Sequence, residues 1–96
     1  EIHAAFEDRI LQALAGGSAA SRVLDVMGER MVRRDFTAGI EARLHHKDFG
    51  LVLEAARKSG VPVPLTATVA QQLNALMAQG WGADDTASLL RVLELS

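Results

Sequence analysis

The sequence predicts an all-α fold, a compact bundle of about five or six helices. Hydrophobic residues make up 49% of the 96 residues, whereas aromatic residues make up only 4%. The excess consists of alanine, leucine and valine, a composition typical of packed helices and unlike that of a β-sandwich or barrel. Because a chain of this length forms one small domain, we expect residues 1–96 to be a single helical domain.

Two helical segments are predicted in the first third of the chain. The first ends at Gly16-Gly17, and Ser18 is a good N-cap for the second, which Gly28 interrupts. Residues 29–34 are expected to add a short helical turn. The apolar stripes are Phe6, Ile10, Leu11 and Leu14 in the first segment and Val23, Leu24 and Met27 in the second. Residues 16–18 thus join a C-cap to an N-cap, and a weak phosphate-binding loop is the alternative.

The longest predicted helix runs from about Ile40 to Ser59 and ends at Gly60, because Pro62 and Pro64 forbid its continuation. Its apolar residues cover an arc of roughly 200° around the helix axis. That arc consists of Ala42, Leu44, Phe49, Leu51, Val52, Leu53, Ala55 and Ala56. So wide an arc predicts burial against more than one neighbour.

Two further helices complete the bundle. Pro64 can open the fourth helix and Gly80 can close it, and Asp84 or Asp85 caps the last one. The inner residues are Leu65, Val69, Leu73, Leu76 and Met77 in the fourth helix and Leu89, Leu90 and Leu93 in the last. Trp81, in the loop between them, is expected to anchor the loop on the core, with an exposed contact residue as the alternative.

Polar residues within the longest helix are the candidate functional residues. His45 and Asp48 fall inside the apolar arc, three residues apart, which favours a polar pair within the helix. Alternatively, Asp48 reaches backbone amides or a partner domain and so fixes where Lys47 points. Lys47 lies at the edge of the arc, with no acid at i+3 or i+4. It is either a solvated residue whose stem covers Leu51 or a cation available to an anionic ligand.

Several classes of function are disfavoured by composition and spacing. The formal net charge of -2 gives no excess of positive charge for binding nucleic acid. The chain has no cysteine, hence no disulfide and no thiolate zinc site, which is compatible with the cytoplasmic location that we expect. His45 and His46 diverge around the helix, so no metal site is expected. No apolar run reaches the roughly 18 residues of a membrane span, so no membrane association is expected.

One run of residues resembles a family signature. Phe36-Thr37-Ala38-Gly39-Ile40, followed by Leu44, Lys47-Asp48-Phe49 and Glu54, is similar to the F-x-x-G-F, L-x-x-K-D-L-x-x-A-x-D pattern of the β-hydroxyacid dehydrogenases. The likeness extends over nearly the whole chain, through Gly16-Gly17-Ser18-Ala19-Ala20-Ser21, Val61-Pro62-Val63-Pro64-Leu65, and Gly80-Trp81-Gly82 with Asp85 and Ser88. The chain departs from the pattern at Phe49, where leucine is usual, at Glu54, where aspartate is usual, and at Thr86, where an aromatic residue is usual.

The resemblance implies a fold and a role. The fold is that of the helical C-terminal domain found in 6-phosphogluconate dehydrogenase, which closes over NAD or NADP held by an N-terminal Rossmann domain of the same chain. Lys47 would contact the cofactor and Asp48 would orient Lys47. The implied partners are this Rossmann domain and a small hydroxy acid or semialdehyde. We also expect a dimer or higher homo-oligomer, because a chain without its upstream part exposes apolar surface that promotes association.

The isolated chain is nevertheless predicted to be inactive. The family's catalytic lysine and asparagine lie in a G-x-x-K-x-x-N motif, and this sequence contains neither that motif nor Rossmann glycines. The chain begins with Glu1, not methionine, so we expect that a longer protein carries it. The competing hypothesis is a free-standing helical module for protein–protein interaction without catalysis, in which Lys47 and Asp48 contact a protein partner.

Overall fold

The computed structural model describes residues 2–95, with side chains from Phe6 onward. It confirms the all-α prediction: the described residues form five α-helices and no strand. The α-helices are α1 (Ile2–Ala15), α2 (Glu29–Arg33), α3 (Ala42–Ser59), α4 (Pro64–Ala78) and α5 (Leu89–Leu93). A π-helical segment (Leu24–Gly28) precedes α2 and a 3₁₀ turn (Thr86–Ser88) precedes α5. None of the helices within residues 2–95 has the length and apolar character needed to cross a membrane.

The chain divides into two compact units, Glu1–Phe36 and Thr37–Ser96. In the first unit α1 ends at Ala15, directly before the predicted Gly16-Gly17 stop. Gly28 does not interrupt the second segment, which continues through it into α2. A Cβ atom at Gly28 would lie 2.5 Å from a methyl carbon of Leu11, so glycine at this position allows α1 to approach closely.

Two further predictions in the first unit are wrong. The side chain that caps the second segment is Ser21, whose Oγ accepts a hydrogen bond from the amide of Leu24 at 2.9 Å, and not Ser18. Val23, expected on the inner face, is 65% exposed. Between Val23 and Met27 the chain follows the π-helical winding of Leu24–Gly28, so the angle between these two side chains differs from the value assumed for an α-helix.

The second unit is built on α3 and α4, whose ends are set as predicted. Gly60 and Gly80 adopt positive φ angles of 70° and 83° just beyond these helices, and Pro64 occupies the first turn of α4. The extended residues before Ala42 bond to another loop, so α3 begins slightly later than predicted. The buried hydrophobic cluster consists of Ala42, Leu73, Leu76 and Val92, with Phe49, Val69, Trp81 and Leu89 among those packed against it.

Three apolar predictions fail in this unit. Leu65 is 82% exposed because it lies in the first turn of α4, outside the hydrophobic cluster. Leu93 is exposed and Val92 is buried in its place. The tighter 3₁₀ turn before α5 changes the direction of the residues that follow it. Only one side of the wide α3 arc is packed, since Leu44, Leu51 and Val52 on the other side are exposed.

Gly50 within α3 and Gly60 just beyond it are expected to respond oppositely to replacement by alanine. Gly60→Ala should lower the free energy of unfolding by about 1 kcal/mol, because an L-residue is strained at a positive φ. Gly50 has no positive φ, and no described atom lies within 4 Å of a Cβ built there. Gly50→Ala should therefore raise the free energy of unfolding by about 0.5–1 kcal/mol. Urea denaturation measures both, and a change of the same sign in the two variants would contradict this account.

Candidate functional site

Helix α3 has two apolar sides with different surroundings. One side, with Ala42 and Phe49, packs onto the hydrophobic cluster. The other side is exposed, and we call it the exposed stripe; it consists of Leu44, Leu51, Val52 and Ala55. Asp48 lies within the exposed stripe and Lys47 lies at its edge, beside Leu51. The predicted site residues are therefore at the surface, next to apolar area that the described residues leave uncovered.

Lys47 and Asp48 form a loose pair. Lys47 Nζ lies 4.0 Å from Asp48 Oδ1, and the two side chains are 67% and 60% exposed. An exposed pair at this distance contributes little to stability and does not hold either charge in place. Both groups thus remain accessible to a ligand or a neighbouring domain, and the roles assigned to them in cofactor contact and orientation stay predictions.

Two other basic residues of α3, Arg43 and Lys58, are engaged more closely. Arg43 Nε lies 2.5 Å from Glu41 Oε1, and Lys58 Nζ lies 3.3 Å from Glu54 Oε1. A cation with a close carboxylate must give up that partner before it binds a ligand. Lys47, held only at 4.0 Å, is consequently the more available of these three cations.

The two histidines of α3 tie the helix to the rest of its unit. His45 Nδ1 lies 2.5 Å from Thr86 Oγ1, and His46 Nε2 lies 2.7 Å from Asn74 Oδ1 on α4. The predicted pair of His45 with Asp48 is wrong, because the His45 ring is directed to the 3₁₀ turn. No group of three potential metal ligands occurs among the described residues.

Asp85 was predicted as a possible cap and has a larger role. Its Oδ2 accepts a hydrogen bond from the amide of Ala87 at 2.9 Å, which confirms the cap. Its Oδ1 accepts from the amides of Gly39 at 3.0 Å and Ile40 at 3.2 Å. The residue is only 4% exposed. No local pattern could have revealed the second set of contacts, because the partners are more than 40 residues apart in the sequence.

Backbone hydrogen bonds extend the contact that Asp85 begins. The amide of Ala42 donates to the carbonyl of Asp84 at 2.8 Å, and the amide of Arg43 donates to the carbonyl of Gly82 at 2.9 Å. Glu41 and Asp85 form an antiparallel bridge. We call this contact between residues 39–45 and 82–86 the seam. It holds the beginning of α3 against the loop that leads into α5.

The loop side of the seam is itself anchored. Trp81 packs against the hydrophobic cluster, and the Arg91 guanidinium lies 4.2 Å from the centre of its ring. Arg91 also donates to Asp84 at 2.7 Å and to Ser88 at 2.6 Å. The prediction that Trp81 anchors the loop is confirmed. Together these contacts make the loop a fixed support for α3.

Helix α3 thus exposes a cation beside apolar surface, and ligand sites occur preferentially at interfaces between domains. A family model described as NAD-binding of NADP-dependent 3-hydroxyisobutyrate dehydrogenase matches residues 6–93. The match covers most of the chain, and the chain belongs to this family.

Similar proteins carry names of the same kind. The chain is 42% identical over 87 residues to 2-hydroxy-3-oxopropionate reductase of Escherichia coli strain K12. The aligned region covers 91% of this chain and 30% of that protein. The chain is 34% identical over 86 residues to 2-(hydroxymethyl)glutarate dehydrogenase of Eubacterium barkeri, covering 88% of this chain and 29% of that protein. The chain thus spans less than a third of the length of these relatives.

A solved structure shares the fold. The crystal structure of a 3-hydroxyisobutyrate dehydrogenase from Salmonella typhimurium matches with a TM-score of 0.85 and 21% sequence identity. The match covers 90% of this chain and 30% of that one. At this level of identity the likeness shows the fold alone, and it agrees with the predicted helical architecture.

Replacement of Asp85 by alanine is expected to destabilise the second unit. The amides of Gly39, Ile40 and Ala87 would lose their acceptor, and a donor left unsatisfied costs about 1–3 kcal/mol. Chemical denaturation of Asp85→Ala should show a loss in this range. Asp48→Ala, at an exposed position on α3, is the control and should change the unfolding free energy by less than about 0.5 kcal/mol. Equal effects of the two substitutions would argue against the structural role of Asp85.

Proposed function

We propose that the chain is the helical domain of an NAD(P)-dependent β-hydroxyacid dehydrogenase and that Lys47 contacts the nicotinamide cofactor. The observation that carries this proposal is the availability of Lys47, which is exposed, held only loosely by Asp48 and placed beside uncovered apolar surface. The family match and the names of the relatives support the cofactor class and the reaction class. When bound, the cofactor supplies hydride transfer to or from a small hydroxy acid or semialdehyde.

The exposed stripe supports a second domain as partner. Isolated exposed apolar residues are ordinary, but Leu44, Leu51 and Val52 lie together on one side of a single helix. We propose that a nucleotide-binding Rossmann domain of the same protein covers this stripe, with Lys47 at the edge facing the cofactor. Asp48, within the stripe, would then meet donors of that domain and restrain Lys47. The relatives are more than three times as long as the region that matches this chain, which is long enough for such a domain.

The same proposal includes location and assembly. We place the protein in the cytoplasm, and the absence of cysteine is compatible with that reducing compartment. We also propose that the isolated chain forms a homo-oligomer, because its exposed stripe has no second domain to cover it and uncovered apolar surface promotes association.

Substitution of Lys47 tests the cofactor contact directly. In the full-length protein, Lys47→Ala should raise the Kd for NADPH or NADH about tenfold, the usual loss for a charged hydrogen-bond donor. Lys47→Arg keeps the charge and should recover part of the affinity, and Lys58→Ala is a matched control because Lys58 pairs with Glu54. Fluorescence titration measures each Kd. An unchanged Kd in Lys47→Ala would refute the proposed contact and favour the alternative of a protein-interaction module.

Association of the isolated chain tests the exposed stripe. Light scattering at high concentration should give a dimer or a larger species, and Leu51→Asp should shift it to the monomer because a charge is placed within the stripe. Leu65→Asp is the matched control, since Leu65 is also exposed but lies on α4 outside the stripe. A strictly monomeric mass for the unmodified chain, or equal effects of both substitutions, would contradict association through the stripe.

A further inference from the structure

Asp85 is a buried carboxyl group outside the surface that the proposed function uses. Burial of such a group is costly unless hydrogen bonds offset it, and here they come from the amides of Gly39, Ile40 and Ala87. The first two amides belong to the residues that lead into α3. The carboxylate is therefore placed where it determines how the chain enters the helix that carries Lys47.

The other hydrogen bonds of the seam hold the first residues of α3 in the same way. Along the chain, the contacts with Asp85 are followed by the backbone hydrogen bonds of Ala42 and Arg43 to the loop at residues 82–84. The contact between His45 and Thr86 comes next. His45 lies only two residues before Lys47. Because an α-helix rises a fixed distance of about 1.5 Å and turns a fixed angle per residue, holding residues 39–45 also determines where Lys47 projects.

We infer that Asp85 is a positioning residue for the ligand of Lys47. The inference rests on the proposed function, since that ligand is the nicotinamide cofactor. Asp85 does not touch the ligand in this account. It acts through the seam, by keeping the Lys47 ammonium group at the position where the ligand meets it.

Asparagine at position 85 is an informative replacement because it keeps the shape and changes one acceptor into a donor. Oδ1 of Asp85 accepts hydrogen bonds from the amides of Gly39 and Ile40, and Oδ2 accepts one from the amide of Ala87. An amide can orient its oxygen to one side only, so its NH₂ group must face N–H donors on the other. Either the entry to α3 or the 3₁₀ turn then loses its acceptor, and the seam loosens.

Cofactor affinity of the full-length protein is the readout, measured by titration with NADPH and NADH well below the melting temperature. Asp85→Asn should raise the Kd by up to about tenfold, the change expected when the Lys47 contact is lost. Gly60→Ala is the control for lost stability, because it strains the far end of α3 without touching the seam. An equal rise in Kd for Gly60→Ala would overturn the inference, because stability alone would then explain the effect.

A double-mutant cycle separates this inference from the proposed function. If Asp85 acts through Lys47, Asp85→Asn should change the Kd by less than about twofold when Lys47 is already alanine. Additive effects would overturn the inference, as would an unchanged Kd for Asp85→Asn alongside a raised Kd for Lys47→Ala. An unchanged Kd for Lys47→Ala would refute the proposed function itself.

A second variant covers the case in which Asp85→Asn does not fold. Thr86→Val keeps the shape of a buried side chain and removes the hydroxyl that His45 contacts. It should raise the Kd about threefold, as expected for one neutral hydrogen bond within the seam. An unchanged Kd in a folded Thr86→Val protein would count against transmission along the seam.

Discussion

The unit from Thr37 to Ser96 depends on one buried carboxylate. The amides of Gly39 and Ile40, just before α3, lie outside any helix, and Asp85 supplies their acceptor. A carboxylate suits this position because it accepts from several N–H groups and has no donor of its own to satisfy. By also capping the 3₁₀ turn, Asp85 joins the entry of the longest helix to the entry of the last one.

The two sides of α3 have different roles. The packed side, with Ala42 and Phe49, and the bonds of His45 and His46 hold the helix within its unit. The other side is left with apolar residues and with Asp48, which the unit itself does not need for packing. A helix that is fixed on one side can present residues on the other with little conformational entropy still to lose, which favours binding.

Much of the fold could be predicted because glycine, proline and apolar spacing act locally. Gly60, Pro64 and Gly80 set the ends of α3 and α4 as expected. The errors arise where the constant angle of an α-helix fails, as at Val23, or where the partner lies far along the chain. A helical wheel identifies apolar residues but not the neighbour that covers them, so the exposed stripe was expected to be buried. The partners of Asp85 and His45 lie more than 40 residues away, and no sequence pattern indicated either contact.

Two lines of reasoning favour Lys47 over Arg43 and Lys58. The family resemblance assigns it to the cofactor, and the geometry distinguishes it from Arg43 and Lys58, which already lie 2.5 and 3.3 Å from carboxylates. At 67% exposure, however, its charge is screened by water, so its attraction for an anionic or polar ligand is weak in the isolated chain. That attraction strengthens only when a neighbouring surface excludes water and lowers the local dielectric. In the proposed function, cofactor affinity at Lys47 would therefore be a property of the closed pair of domains, and the seam would determine whether the lysine is correctly placed when the domains close.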